Sequence, residues 1–267
     1  MDYPQISREI RKKVLKMMFD SQTAHLGGCL SCVDILNVLY FKILKIDPQD
    51  PLAEDRDRFL LSKGHGAAAL YAALAQRGFF SEEILNGYCQ DGGKLPGHST
   101  RGCVPGVEVS TGSLGHGLPM GAGMAIAAKN GGKNYRIFVL MSDGECEEGS
   151  VWEAALFAAH HKLDNLVVIV DRNRWQAFGK TEKVLKLEPL EDKWNTFNWY
   201  VQRVNGHNFE ELEEAFTNLS QEKPNIIIAD TIKGKDCPPL ENKLESHYYN
   251  LNQQQYEETI KYLNQKK

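Results

Sequence analysis

Three short runs, RIFVLM (136–141), NLVVIVD (165–171) and NIIIADTI (225–232), are apolar almost from end to end and rich in β-branched residues. A strand with one wet face alternates apolar and polar side chains, whereas a strand that is apolar throughout must be covered on both faces. A weaker run, WYVQRV (199–204), joins them, and the helical stretches EGSVWEAALFAAHHK and NFEELEEAFTNLS lie between. This alternation predicts an α/β fold, a doubly wound and mostly parallel sheet with helices on both faces. No repeat, low-complexity tract or Pro/Ser-rich linker divides residues 1–267, so a single domain is expected, with a short polar C-terminal tail ending in a short exposed helix.

Other stretches follow helical or loop patterns. Residues 4–21 are basic and amphipathic, with Ile6, Ile10, Val14, Met17 and Met18 at helical spacing. A second helix is expected from about Ser31, as N-cap, through VDILNVLYFKIL. LSKGHGAAALYAALAQRG reads as a loop feeding a helix that stops at Gly78, and LPMGAGMAIAAKNGG as a closely packed helix. Between them, residues 91–117 are glycine-rich and without periodicity, and a loop of this length inside a compact domain is usually functional.

A net charge of −4 gives no electrostatic reason to expect nucleic acid or an anionic membrane as partner. No apolar run approaches the roughly 20 residues of a membrane span. The N-terminal segment lacks the apolar core and cleavage site of a signal peptide, so a cytoplasmic location is expected. Cys29 and Cys32 form a C-x-x-C without a second pair at zinc-finger spacing. They read as ordinary small, half-buried residues, with a redox pair as the alternative.

Ligands of such sheets bind at the carboxyl ends of the strands. Asp143 lies just past RIFVLM and Asn173 two residues beyond NLVVIVD, thirty residues later. If those strands are neighbours, a carboxylate and an amide oxygen converge at one edge. Hard oxygens are a partial shell for Mg²⁺ or Ca²⁺, completed by carbonyl, water and phosphate oxygens. Gly144 would let a phosphate approach the backbone. Taken singly, each residue is read first as an Asx turn after its strand.

Asp-Gly followed by one helix, one strand and Asn resembles the thiamine-diphosphate-binding motif, here with Ser142 where its first glycine is usual. DRFLLSKGHGAAALYAAL (57–74), LPGHS (95–99) and GVEVSTGSLGHGLPMGAGMAIA (106–127) closely match transketolase segments. AHLGGCLSCVDIL (24–36) resembles another, with Leu26 where proline is usual. TIKGKDCPPLENKLESHYYN (231–250) resembles the last, with Asp236 replacing a glycine and no glycine after His247. From about residue 6 to 250, in order, the chain resembles the N-terminal, diphosphate-binding part of the transketolase family.

The resemblance implies thiamine diphosphate held through Mg²⁺ (or Ca²⁺), with Asp143, Asn173 and the Trp175 carbonyl as metal ligands. It implies that His25, His98 and His247 face a sugar-phosphate substrate and that His65 and His247 lie near the diphosphate. Imidazole suits these tasks because it can donate or accept a proton near neutral pH. Gly112, Ser113, Leu114 and Gly115 resemble the cofactor-lining turn, with Ser113 readable also as a helix N-cap, and His116 is expected near the cofactor ring. Gly144, Glu145 and Asn173 are expected beside the cofactor. Glu145, Glu147 and Glu148 otherwise read as a solvated helix start. Glu148 is placed either in the network linking opposite active sites or simply in its helix dipole. His160, His161 and His207 match no catalytic position.

In this family the carboxylate that activates the aminopyrimidine belongs to a second, pyrimidine-binding region. The chain is therefore expected to be one half of a split transketolase, inactive alone and completed by a separate C-terminal subunit in an α2β2 complex. Alternatives are a component of a 2-oxoacid dehydrogenase or decarboxylase, a specialised sugar-biosynthetic transketolase, and a non-catalytic regulatory subunit.

Overall fold

The computed structural model describes residues 1–266. Its sheet has five strands, all parallel: β1 (Arg58–Leu61), β2 (Ile137–Ser142), β3 (Leu166–Arg172), β4 (Tyr200–Asn205) and β5 (Asn225–Asp230), in the order β1-β2-β3-β5-β4. The helices are α1 (Tyr3–Ser21), α2 (Leu26–Ser31), α3 (Val33–Val38), α4 (Ala67–Arg77), α5 (Gly117–Asn130), α6 (Gly149–His160), α7 (Thr181–Val184), α8 (Leu190–Thr196), α9 (Phe209–Thr217) and α10 (Gln253–Gln265).

Successive side chains of a strand point to opposite faces, and the cores divide accordingly. Phe138, Leu140, Val167, Ile169 and Ile227 pack with α1 to α4 and α9. Val139, Met141, Val168, Val170 and Ile226 pack with α5, α6 and α8. Burial of one such side chain on either face contributes about 1.5–3 kcal/mol, so every residue of the three central runs favours a strand covered twice.

The structure departs from expectation in four places. DRFLL contains β1, whose four residues are too few to announce a strand beside the loop that follows. The expected second helix is divided into α3 and one π-turn (Leu39–Ile43), and Ser31, instead of capping it, ends the separate short helix α2. Its hydroxyl is committed to the buried Asp171 carboxylate at 2.6 Å. The polar tail is not simply exposed: α10 buries Thr259 and Leu263, and Tyr256 stacks on Phe19 of α1. Cys29 and Cys32 are fully buried free thiols, pushed by burial up to about 11 and about 12.

Asp236 stands at φ +64, a left-handed conformation that a glycine would adopt without strain. Aspartate tolerates this region better than most residues. Its carboxylate also pairs with Arg11 at 3.3 Å and with Lys266. Leu26 opens α2, the first helical position that suits proline, and is 1% exposed.

Candidate functional site

Strands β2 and β3 are neighbours in a register that sets Ser142 against Asp171. Asp143 and Asn173 therefore leave the same edge of the sheet and line one cavity of about 420 Å³. The Asp143 carboxylate accepts the Gly144 N–H at 2.9 Å, the Arg174 N–H at 2.8 Å and the Thr181 hydroxyl at 3.0 Å. All three donors are neutral. Burial, and then the neighbouring Asp171 charge, push this carboxyl up to about 6. Asn173 Oδ1 accepts the Trp175 N–H at 3.1 Å, and residues 174–181 fold back as a small hairpin, Gln176 N–H to Gly179 O at 2.8 Å. A buried carboxylate without a salt-bridge partner, beside amide and carbonyl oxygens, is the donor set that a hard divalent cation fits.

The opposite wall is imidazole. Ring centroids of His65, His98 and His247 lie 5.4, 5.7 and 4.8 Å from that of His25. Each ring comes from a different segment: His25 from the turn before α2, His65 from the β1–α4 link, His98 from the long loop, and His247 from a 3₁₀ turn. The His25 N–H donates to the His247 carbonyl at 2.8 Å, joining the first and last of them. Burial, then His98 and Lys233, lower His25 to about 4. Burial, then Lys233 and His25, do the same for His247. His65 falls well below its ordinary value through burial and Lys63. These three rings are neutral at pH 7, each presenting one donor and one acceptor nitrogen.

Beneath the cavity Lys63 and Asp171, both fully buried, form an ion pair. Lys63 also donates to the Gly28 carbonyl at 2.7 Å, and Asp171 accepts from the Ser31 and Thr231 hydroxyls. The network ties α2, the end of β1, β3 and the segment after β5 together under the histidines.

Of the residues singled out from sequence, His25, His65, His98, His247, Gly112 and Leu114 line the cavity, as do Asp143, Gly144, Glu148, Asn173 and Trp175. Ser113, Gly115, His116 and Glu145 do not. Ser113 is exposed and does not cap α5, which starts at Gly117. His116 is exposed, its Nδ1 3.1 Å from the Leu114 carbonyl. Glu145, expected beside the cofactor or on a solvated helix start, is fully buried. Its oxygens accept the Ser62 hydroxyl, the Gly115 N–H at 2.9 Å and the Ser142 N–H at 3.2 Å, so it clamps three loop ends behind the cavity wall. Gly115 stands at φ +80, where an added Cβ would lie 2.5 Å from Ser150 Oγ. Ser142 fits the strand end, 8% exposed and facing the cavity. His207 is structural, bonding Asp34 at 2.8 Å and accepting the Ile232 N–H at 2.9 Å.

Sequence reasoning passed over Lys233. It is 2% exposed, lines the cavity and lies 3.3 Å from His247 Nδ1. Burial, then repulsion from Lys63, lower it to about 8. Its signal is its place in TIKGKD, the opening of a segment that resembles a family motif.

Residues 4–266 match the family model "Transketolase, thiamine diphosphate binding domain". The chain is 42% identical over 257 residues to an apulose-4-phosphate transketolase subunit of Phocaeicola vulgatus, covering 96% of this chain and 91% of that protein. It is also 42% identical over 253 residues to the 6-deoxy-6-sulfo-D-fructose transketolase subunit SqwG of a Clostridium species, with 94% and 92% covered. Among solved structures, transketolase from Leishmania mexicana superimposes with a TM-score of 0.93 at 29% identity, covering 100% of this chain and 42% of that one. With the family model spanning nearly the whole sequence and these relatives matched almost end to end, the chain belongs to the transketolase family, as its thiamine diphosphate-binding part.

Proposed function

We propose that the chain is the diphosphate-binding subunit of a two-subunit transketolase, which moves a two-carbon ketol group from a ketose phosphate to an aldose. The observation that carries this reading is the single cavity in which Asp143 and Asn173 face four histidines. Residues 1–267 act as one domain and work in the cytoplasm; among the described residues no helix is long and apolar enough to cross a membrane. Relatives of nearly this length are named as subunits, which supports a separate C-terminal partner for this chain too, in an α2β2 assembly.

Asp143, Asn173 and the Trp175 carbonyl would hold Mg²⁺ (or Ca²⁺), giving the Asp143 carboxylate a directly bound cation where its own hydrogen-bond donors are neutral. Gly144 and Lys233 would meet the diphosphate, the first by close backbone approach and the second by charge. When bound, thiamine diphosphate supplies a carbon nucleophile. His25, His98 and His247 receive and return protons at the sugar's oxygens, a task for imidazoles, which can both donate and accept. His65 packs beneath them near the diphosphate. Glu148, at the entry to α6, lines the cavity and would reach toward the second active site. Leu156 and Phe157 on α6 are exposed apolar side chains, 61% and 40% accessible, available to a docking partner.

The histidine wall favours this reading over a 2-oxoacid enzyme, whose substrates present fewer hydroxyl groups. The test is titration of the purified chain with its C-terminal partner while following two-carbon transfer between sugar phosphates. The chain alone should be inactive and activity should saturate at one partner per chain. Robust transfer by the chain alone, or activity on 2-oxoacids only, would overturn it.

A further inference from the structure

The hairpin 174–181 and the segment 242–248 lie far apart in sequence, yet two side-chain bonds join them. The Trp175 indole N–H donates to Asn242 Oδ1 at 2.8 Å. The Tyr248 hydroxyl donates to the Ala177 carbonyl at 2.8 Å, crossing from beside His247 to the middle of the hairpin. The Tyr248 ring also stands edge-on to His247, centroids 4.9 Å apart at 69°. Ala177, Trp175 and His247 all line the cavity, whereas Tyr248 does not and is half exposed.

We propose that Tyr248 and Asn242 are positioning residues that clasp the Trp175 hairpin to the His247 segment, so that the cation end and the histidine end of the cavity are held as one unit. The proposal rests on the functional reading above for its consequence, but the clasp is a property of the free chain. The hairpin is anchored at its base, where Asp143 accepts the Arg174 N–H and the Thr181 hydroxyl and where Gln176 donates to Glu147. Phe178 at its tip is 84% exposed, so the Trp175 and Tyr248 bonds are what join it to the His247 segment. The His247 segment is fixed on its other side by the His25 N–H. Tyr248 therefore gives the imidazole an edge-on aromatic neighbour and gives the hairpin a tether with one side chain. Loss of either bond frees the Trp175 carbonyl to wander, and loss of the Tyr248 ring frees His247 as well.

Hydrogen exchange of the full chain without cofactor reads the clasp directly, at the Gln176 and Thr181 amides that close the hairpin. Tyr248→Phe removes the hydroxyl and keeps the ring. Asn242→Gly removes the acceptor at φ +55, where glycine is unstrained. Each should speed exchange of these amides about fivefold, the effect of one ordinary hydrogen bond, and the double variant by more, with β2 and β3 amides unchanged. Tyr248→Gly should in addition shift the His247 ring resonances, which Tyr248→Phe leaves in place. In the assembled complex, the double variant should release Mg²⁺ and thiamine diphosphate about tenfold faster. Hairpin exchange within twofold of wild type in the double variant would overturn the clasp. Failure of the wild-type complex to bind Mg²⁺ and thiamine diphosphate would instead overturn the functional reading and leave the exchange result standing.

Discussion

Asp171 lies in β3 and Asp143 immediately follows β2, one residue beyond the Ser142 that faces Asp171, and both are almost wholly buried. Their surroundings are opposite. Asp171 has a lysine and two hydroxyls, and its carboxyl is held below the usual range by Lys63 against the penalty of burial. Asp143 has only neutral donors, and its carboxyl is raised to about 6. A buried charge needs a partner. One of these carboxylates finds it inside the chain and braces the fold; the other leaves the position to something brought in.

Substitution separates the two most sharply. Asp143→Ala should abolish metal-dependent thiamine diphosphate binding in the assembled complex, measured by calorimetry or fluorescence quenching, while the chain keeps its fold. Asp171→Asn should do the reverse, destabilising the chain by about 3–5 kcal/mol in urea unfolding because Lys63 is left as an uncompensated buried charge. Unchanged cofactor affinity in the first, or unchanged stability in the second, breaks the contrast.

A smaller effect is expected across the cavity. His25→Ala and His247→Ala should each lower turnover roughly 10²-fold with a ketose phosphate donor while changing cofactor affinity little. Near-normal turnover in both would make the histidine wall structural, like the Asp171 corner beneath it.

The smallest effect is a pH slope. Because the Asp143 carboxyl titrates near 6 in the folded chain, protons compete with the cation below that value. Mg²⁺ affinity should hold above pH 6 and fall by up to about tenfold per unit below it, so the loss comes on acidification. Asp143→Asn should flatten the slope, and isothermal titration from pH 7 to pH 5 reads both.

How much of this site could be read in advance varies residue by residue. Asp143 and Asn173 were accessible because each closes an apolar run, and a strand exit in a parallel sheet is where ligands bind. The four cavity histidines were accessible only through motif resemblance, since nothing local distinguishes His65 from His160. Glu145 was misread because an acidic residue at a helix start is ordinarily solvated. Only the fold brings Ser62, Gly115 and Ser142 around it as donors. Lys233 was missed because its lowered basicity comes from burial and from Lys63, far away in sequence.

Local chemistry along the chain determined that the central strands are covered on both faces, that the 91–117 segment is a loop, and which oxygens and imidazoles are on offer. Those properties follow from short-range patterns of apolar, β-branched and glycine residues. Tertiary structure alone decided that β2 and β3 are adjacent, that His25 and His247 touch across more than two hundred residues, and which aspartate receives the lysine. Pairing, burial and the electrostatic balance of a charge depend on neighbours that the chain brings together only when it folds.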